Sequence, residues 1–152
     1  MKRSVANAAS VLALAALMVG LPVRADILAT STRATNITTL GLLPLNEAGN
    51  TALAFTTSAD RQKVVITYNA DCYTKGPLFI DMTVDGARTN PNSGGIVLCS
   101  SNTTPNLEFV SAIRQVVYTA PKKGRHFVEI RIRTMGAPFA FDIRNTSPVV
   151  MD

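Results

Sequence analysis

Beyond residue 25 the chain reads as a succession of period-two stretches. From Gln62 to Cys72 (QKVVITYNADC), Val64, Ile66, Tyr68, Ala70 and Cys72 take alternate positions, with Val65, Thr67, Asn69 and Asp71 between them. Side chains of an extended strand point alternately to opposite faces, so each set lands on one side of a sheet. The same pattern sets Leu78, Ile80, Met82 and Val84 against Phe79, Asp81, Thr83 and Asp85. It also sets His126, Val128, Ile130, Ile132 and Thr134 against Phe127, Glu129, Arg131 and Arg133. Thr51 to Ser58 (TALAFTTS) and the series Phe139, Phe141, Ile143 repeat it more briefly. No long stretch past residue 25 carries apolar positions at helical spacing.

Turn formers punctuate these runs. Asp85-Gly86 supplies the positive φ angles of a tight hairpin turn, so the strand ending at Val84 is expected to pair with the segment after Gly86. Thr89 to Gly95 and Ser100 to Asn106 are polar loops flanking a short strand, Ile96 to Cys99. Leu107 to Thr119 changes phase: Leu107, Phe109, Ser111 and Ile113 hold one register, and Val116 and Tyr118 the other. That change predicts a bulge near Ala112 to Gln115. Pro121 to Arg125 is a turn, and Val149 to Met151 a closing edge strand. Thr35 to Thr39 is a candidate strand, and Leu40 to Leu45 an apolar connection tucked against the core. The expected fold is all-β: an antiparallel β-sandwich of jelly-roll type with seven or eight strands.

The order FTTSADRQKVVITYNADC, LFIDMTVDG, a second cysteine in IVLC, and RQVVYTAPKKGRHFVEIRIRT resembles a loose group of small exported bacterial β-sandwich proteins, over about residues 51 to 135. The resemblance implies a sandwich and a bacterial origin, and it transfers no active site. A fold-level analogy with jelly-roll domains of the tumour-necrosis-factor and complement type points the same way and says nothing of function.

The first 25 residues have a different character. Met1-Lys2-Arg3 is a positive start, Val11 to Leu21 (VLALAALMVGL) a compact apolar run, and Val23-Arg24-Ala25 a cleavage site. This is the layout of a secretory signal peptide, and the apolar run is short for a membrane span. Residues 1–25 are therefore expected to be removed, leaving a single domain over 26–152, secreted or periplasmic, with no membrane span. Lys2, Arg3 and Arg24 leave with the leader, which lowers the basic count from 15 to 12 against 10 acidic residues. A surface so nearly balanced does not suggest nucleic acid or anionic lipid as the partner. In an oxidising compartment the only two cysteines, Cys72 and Cys99, are expected to form a disulfide. Closing their loop contributes about 3.5 kcal/mol by chain-entropy reasoning.

Candidate chemistry is sparse. His126 is the only histidine, so any imidazole scheme must use it, with Ser100, Ser101 or Ser111 as nucleophile and Asp71, Asp81 or Glu129 as orienting acid. No serine sits in a Gly-x-Ser-x-Gly elbow, and the parity of His126 with Val128 and Ile130 places it at the inner edge of a sheet. Asp81 and Asp85 lie about 13 Å apart along one strand face, too far to share a metal. Asp85, Asn90 and Asn92 lie near one hairpin and could gather calcium, although Asp and Asn are also favoured turn formers. No catalytic set, metal set or cofactor is assigned. With no Trp and with Tyr68 facing inward, a sugar platform is left with Tyr73, Tyr118 and Phe127. Asn36, Asn102 and Asn145 begin Asn-x-Ser/Thr triplets, read here as turn chemistry. The expected function is a non-enzymatic binding or interaction module. Its contact patch would be Phe127, Arg131 and Arg133, and its partner another protein, a surface polymer or a second copy of the chain. The alternatives are a carbohydrate or glycoconjugate binder using the loops Asn90 to Gly95 and Ser100 to Asn106, and a small hydrolase centred on His126.

Overall fold

The computed structural model describes residues 25–91, 95–100, 108–136 and 139–152. The leader expected over 1–25 lies outside these residues except for Ala25. The described residues form ten strands: β1 (Ile27–Thr30), β2 (Gly41–Leu42), β3 (Ala52–Thr57), β4 (Lys63–Thr74), β5 (Leu78–Val84), β6 (Ala87–Arg88), β7 (Ile96–Cys99), β8 (Val110–Thr119), β9 (Gly124–Thr134) and β10 (Phe141–Met151). The first sheet runs β1-β10-β4-β8. In the second, β9 and β5 are central, β2 and β3 share the outer side of β9, and β6 and β7 share the outer side of β5. All pairings are antiparallel. The molecule is thus the expected antiparallel β-sandwich.

The alternating apolar sets face one another across the interior. Val64, Ile66, Tyr68, Ala70 and Cys72 of β4 oppose Leu78, Ile80, Met82 and Val84 of β5 and Val128, Ile130 and Ile132 of β9 in one buried cluster. Strand alternation fixes these faces, and burial of the aliphatic side chains supplies the driving force, about 25 cal/mol per Å² of apolar surface. Asp85 (φ 51) and Gly86 (φ 76) make the predicted two-residue turn, which pairs Val84 with Ala87. Leu43 and Leu45 are buried against the core as expected, while Leu40 and Leu42 are exposed.

Three expectations are corrected. First, β8 has no bulge at Ala112 to Gln115: it pairs with β4 without interruption from Lys63↔Thr119 to Cys72↔Val110. Ile113 therefore points outward, 61% exposed, and Arg114 takes the inward position. Its guanidinium reaches the end of β7 and donates from Nε to the Val97 carbonyl and from a terminal nitrogen to the Leu98 carbonyl at 2.9 Å. Three satisfied donors outweigh the apolar surface of Ile113, and counting hydrophobic positions alone missed this.

Second, Val149 to Met151 is no edge strand but the end of β10, inside the first sheet between β1 and β4. The bulge lies here: Arg144 pairs with Asp71 and Ser147 with Asn69, so β10 has one residue more than β4. Asn145, at φ 51, is exposed at this point. Third, Thr35 to Thr39 is not a strand. Ile37 makes a single bridge to Ile143, and the first strand, β1, begins earlier, at Ile27.

The disulfide forms as expected. Cys72 ends the inward run of β4 in one sheet and Cys99 ends β7 in the other, with Cα atoms 6.6 Å apart, so the bond ties the two sheets together. No helix among the described residues is long and apolar enough to cross a membrane. Replacing both cysteines by serine is expected to lower stability by about 3 kcal/mol. The check is a lower urea midpoint; free thiol in unreduced, unfolded wild-type protein would contradict the pairing.

Candidate functional site

Among the described residues, polar chemistry gathers at several places on the sandwich. One is internal. The tight turn after β5 puts Asp85 beside the start of β9, where its Oδ2 accepts from His126 Nδ1 at 2.7 Å and its Oδ1 accepts from the Phe127 N–H at 2.9 Å. His126 Nε2 lies 3.0 Å from the Lys122 carbonyl and 3.2 Å from Thr57 Oγ1 on β3. Phe55 and Tyr118 pack around the imidazole, with ring centroids at 5.3 and 6.5 Å. Loss of solvation raises the Tyr118 phenol above its ordinary range, and the Asp85 carboxylate adds to the rise.

Acid, imidazole and hydroxyl thus stand in sequence, but Thr57 is only 2% exposed, and its hydroxyl oxygen is held by the Gly124 N–H at 3.2 Å. A substrate carbonyl cannot reach it. The arrangement works as a clamp joining β3, the β5–β6 turn and the β8–β9 connection. Ser111 lies instead on the outer face of the first sheet, where it donates to Asp71, and Ser101 lies outside the described residues. Of the proposed calcium ligands, Asp85 is committed to His126 and Phe127, Asn90 makes a backbone bridge to Val117, and Asn92 lies outside the described residues. Among the described residues no three His, Cys, Asp or Glu side chains are grouped to hold a metal.

The second place is the outer face of the second sheet, which carries the three patch residues. Phe127, Glu129, Arg131 and Arg133 follow one another on the solvent side of β9, over about 20 Å. The register adds neighbours that the sequence alone did not supply. Arg131 stands between Leu42 of β2 and Asp81 of β5, and Arg133 is opposite Phe79. The Arg133 guanidinium lies 5.4 Å from the Phe79 ring centre, and that of Arg125 lies 5.1 Å from Phe127. Arg88 of β6 shares the face through its pairing with Thr83. Phe127 is 41% and Leu42 40% exposed. Four arginines therefore share this face with two acids, Asp81 and Glu129. Arg88, Phe79 and Leu42 escaped the sequence reading because they meet the patch only through strand pairing, and Arg125 because it was assigned to the turn Pro121 to Arg125, whereas β9 already begins at Gly124.

On the opposite side of the molecule, Asp71 accepts from the Ser111 hydroxyl at 2.6 Å and from Asn145 Nδ2 at 2.9 Å. These bonds, Ser111's first, hold its carboxyl below the ordinary carboxylate range. Beyond it the Arg144 guanidinium stacks 3.5 Å from the Phe109 ring centre, with Tyr73 beside the same ring. Of the aromatic residues considered for a platform, Tyr73 and Phe127 thus face outward on different sheets, and Tyr118 is half-buried near His126.

His126→Ala removes the hub of the clamp and leaves a cavity, and is expected to cost about 2–4 kcal/mol. Chemical denaturation measures this, and a loss under about 1 kcal/mol would deny the clamp its role. A carboxyl that titrates lower in the folded than in the unfolded protein contributes stability above its unfolded pKa and loses it as pH falls through the folded value. Ser111→Ala should therefore raise the Asp71 titration towards the ordinary carboxylate range, followed by carbon-detected NMR, and make the protein less dependent on Asp71 in acid.

No protein-family model matches the chain, and no curated protein does. Solved structures do. The infectious bursal disease virus VP2 subviral particle matches with a TM-score of 0.41 and 13% identity over 94% of this chain and 37% of that one. The chain spans about a third of the length of the viral proteins it matches. A CBM35 from Paenibacillus barcinonensis matches with a TM-score of 0.33 and 11% identity over 83% of this chain and 97% of that one. The K3 cleaved adhesin domain of Lys-gingipain from Porphyromonas gingivalis matches with a TM-score of 0.34 and 9% identity over 78% and 74% of the two chains.

Proposed function

We propose that the protein is an exported, non-enzymatic binding module that docks an acidic partner protein on the outer face of its second sheet. The observation that carries this reading is the collection of Arg88, Arg125, Arg131 and Arg133 on one face with exposed Phe127 and Leu42. Protein–protein interfaces are enriched in arginine and aromatic residues and depleted in lysine, and this face carries its positive charge entirely as arginine. Guanidinium groups laid over Phe79 and Phe127 are held in place by the rings, so less side-chain freedom is lost when they meet carboxylates. An antiparallel sheet with one wet face provides a stiff platform for such a surface. The expected leader and the disulfide are consistent with a role outside the cytoplasm.

The test is capture from the native envelope by the immobilised mature protein, with affinity measured for the partner recovered. Arg131→Glu with Arg133→Glu should weaken binding at least about tenfold, or about 1.4 kcal/mol, and Phe127→Ala by a similar amount. Gln115→Glu on the other sheet should leave it unchanged. Binding that ignores the β9 reversals, or that is lost equally with Gln115→Glu, would overturn the proposal.

A further inference from the structure

The first sheet ends on a long edge. Its order β1-β10-β4-β8 gives β8 a strand neighbour on one side only, among the described residues. β8 runs for ten residues, whereas the other outer strands of the two sheets, β1, β2, β3, β6 and β7, run for two to six. A strand edge presents unpaired N–H and C=O groups, and proteins guard against stray pairing with short edge strands, bulges, proline or lysine. β8 (VSAIRQVVYT) contains neither proline nor lysine, and its ladder with β4 is uninterrupted. Its one charged residue, Arg114, turns inward and donates to the carbonyls of Val97, Leu98 and Ile113. Val110, Ile113 and Val117 of this strand are exposed apolar residues.

Main-chain direction shows which groups lie on that edge. Val117 exchanges both of its hydrogen bonds with Asn90, at 2.8 and 2.6 Å, so its N–H and C=O point away from β4. The Ala120 N–H donates the other way, to the Gln62 carbonyl just before β4. Bonding direction alternates along an antiparallel strand, so Ser111, Ile113 and Gln115 point away from β4 as Val117 does. All three residues are exposed. β7 pairs with β5 in the other sheet and not with β8. The Ile113 carbonyl accepts from Arg114 at 2.6 Å and keeps a second lone pair. The edge from Ser111 to Gln115 is bounded by the start of β8 on one side and the Asn90 bridge on the other, and Ile113 is its midpoint.

We propose that β8 pairs antiparallel with β8 of a second copy of the chain, about a two-fold axis at Ile113, so that the two first sheets become one. A two-fold interface needs a surface complementary to itself, and this edge has one. Pairing centred on Ile113 sets Ile113 opposite Ile113 of the second copy and Ser111 opposite Gln115, and each such pair can exchange two N–H···O bonds. The two isoleucines meet as a β-branched cross-strand pair, a kind that stabilises sheets. Arg114 falls opposite Ala112, so no charge on the strand faces a like charge. A second copy also brings a strand already held straight by its own β4, whereas a flexible peptide would lose chain entropy on pairing. The edge belongs to the first sheet and the β9 face to the second, so either reading can fail without the other.

The experiment is sedimentation equilibrium of the mature, disulfide-bonded protein from about 1 µM to about 1 mM, with a dimer expected to form at a dissociation constant below about 300 µM, as suits a narrow interface. Ile113→Lys places two like charges face to face at the axis and should raise that constant at least about tenfold. Its urea midpoint should stay at the wild-type value, because the side chain is exposed. Ile113→Asp should behave likewise, and an equimolar mixture of the two variants should dimerise again, since opposite charges then meet. Amide hydrogen exchange at Ser111, Ile113 and Gln115 should slow as the wild-type concentration rises. A protein that stays monomeric to about 1 mM would overturn the proposal, whether its edge is open to a strand of another protein or covered by its own chain. A dimer indifferent to Ile113→Lys, or variants that remain apart when mixed, would overturn it as well.

Discussion

The packing of the sandwich depends on the pairing of β10 with β4. The last strand of the chain lies inside the first sheet, with β1 on its other side, so the two ends of the described domain are hydrogen-bonded to one another. Side-chain direction has a period of two, so one extra residue reverses every position beyond it. The bulge at Arg144–Ser147 makes that reversal. Before it Phe141 and Ile143 face the core; after it Thr146 and Val150 do. Without the extra residue Val150 would turn outward and the sheet would lose its packing at that end.

Nearly every other pairing is equally remote in sequence. Apart from the short β5–β6 hairpin, no two consecutive strands are neighbours in a sheet. Such a topology draws little support from local contacts, since long loops must close before their pairings contribute. Ties between the sheets matter accordingly. The Cys72–Cys99 bond and the Arg114 side chain close the seam between β7 and the first sheet. His126 joins β3, the β5–β6 turn and the β8–β9 connection. The single histidine, the most conspicuous candidate for catalysis in the sequence, is thus consumed by architecture.

With the interior committed to packing, the proposed binding chemistry falls to the outer surface of the second sheet. The β9 face combines flat aromatic surface with arginines whose fork geometry suits carboxylates, a pairing of broad contact with directional bonds. The bulge region differs in scale and character. It is a small concavity between the Thr32–Ala34 segment, Glu47 and the Asn145–Ser147 bulge.

Alternation determined much of this protein from sequence alone. The inward faces of β4, β5 and β9, the Asp85-Gly86 turn, the cysteine pair and the burial of His126 follow from local rules, in which a residue's direction depends on its neighbours in the chain. That Phe127, Arg131 and Arg133 share one outward face was legible for the same reason, since they sit at even spacing on one strand. Phase errors arose where a side chain's partner is distant. Arg114 turns inward for the carbonyls of Val97 and Leu98, and Ile113 is left outside. Likewise the place of β10, the pairing of β1 with it and the arginine–aromatic stacks depend on which strands lie side by side. Strand order is set by the total packing of two sheets, and tertiary structure alone decides it.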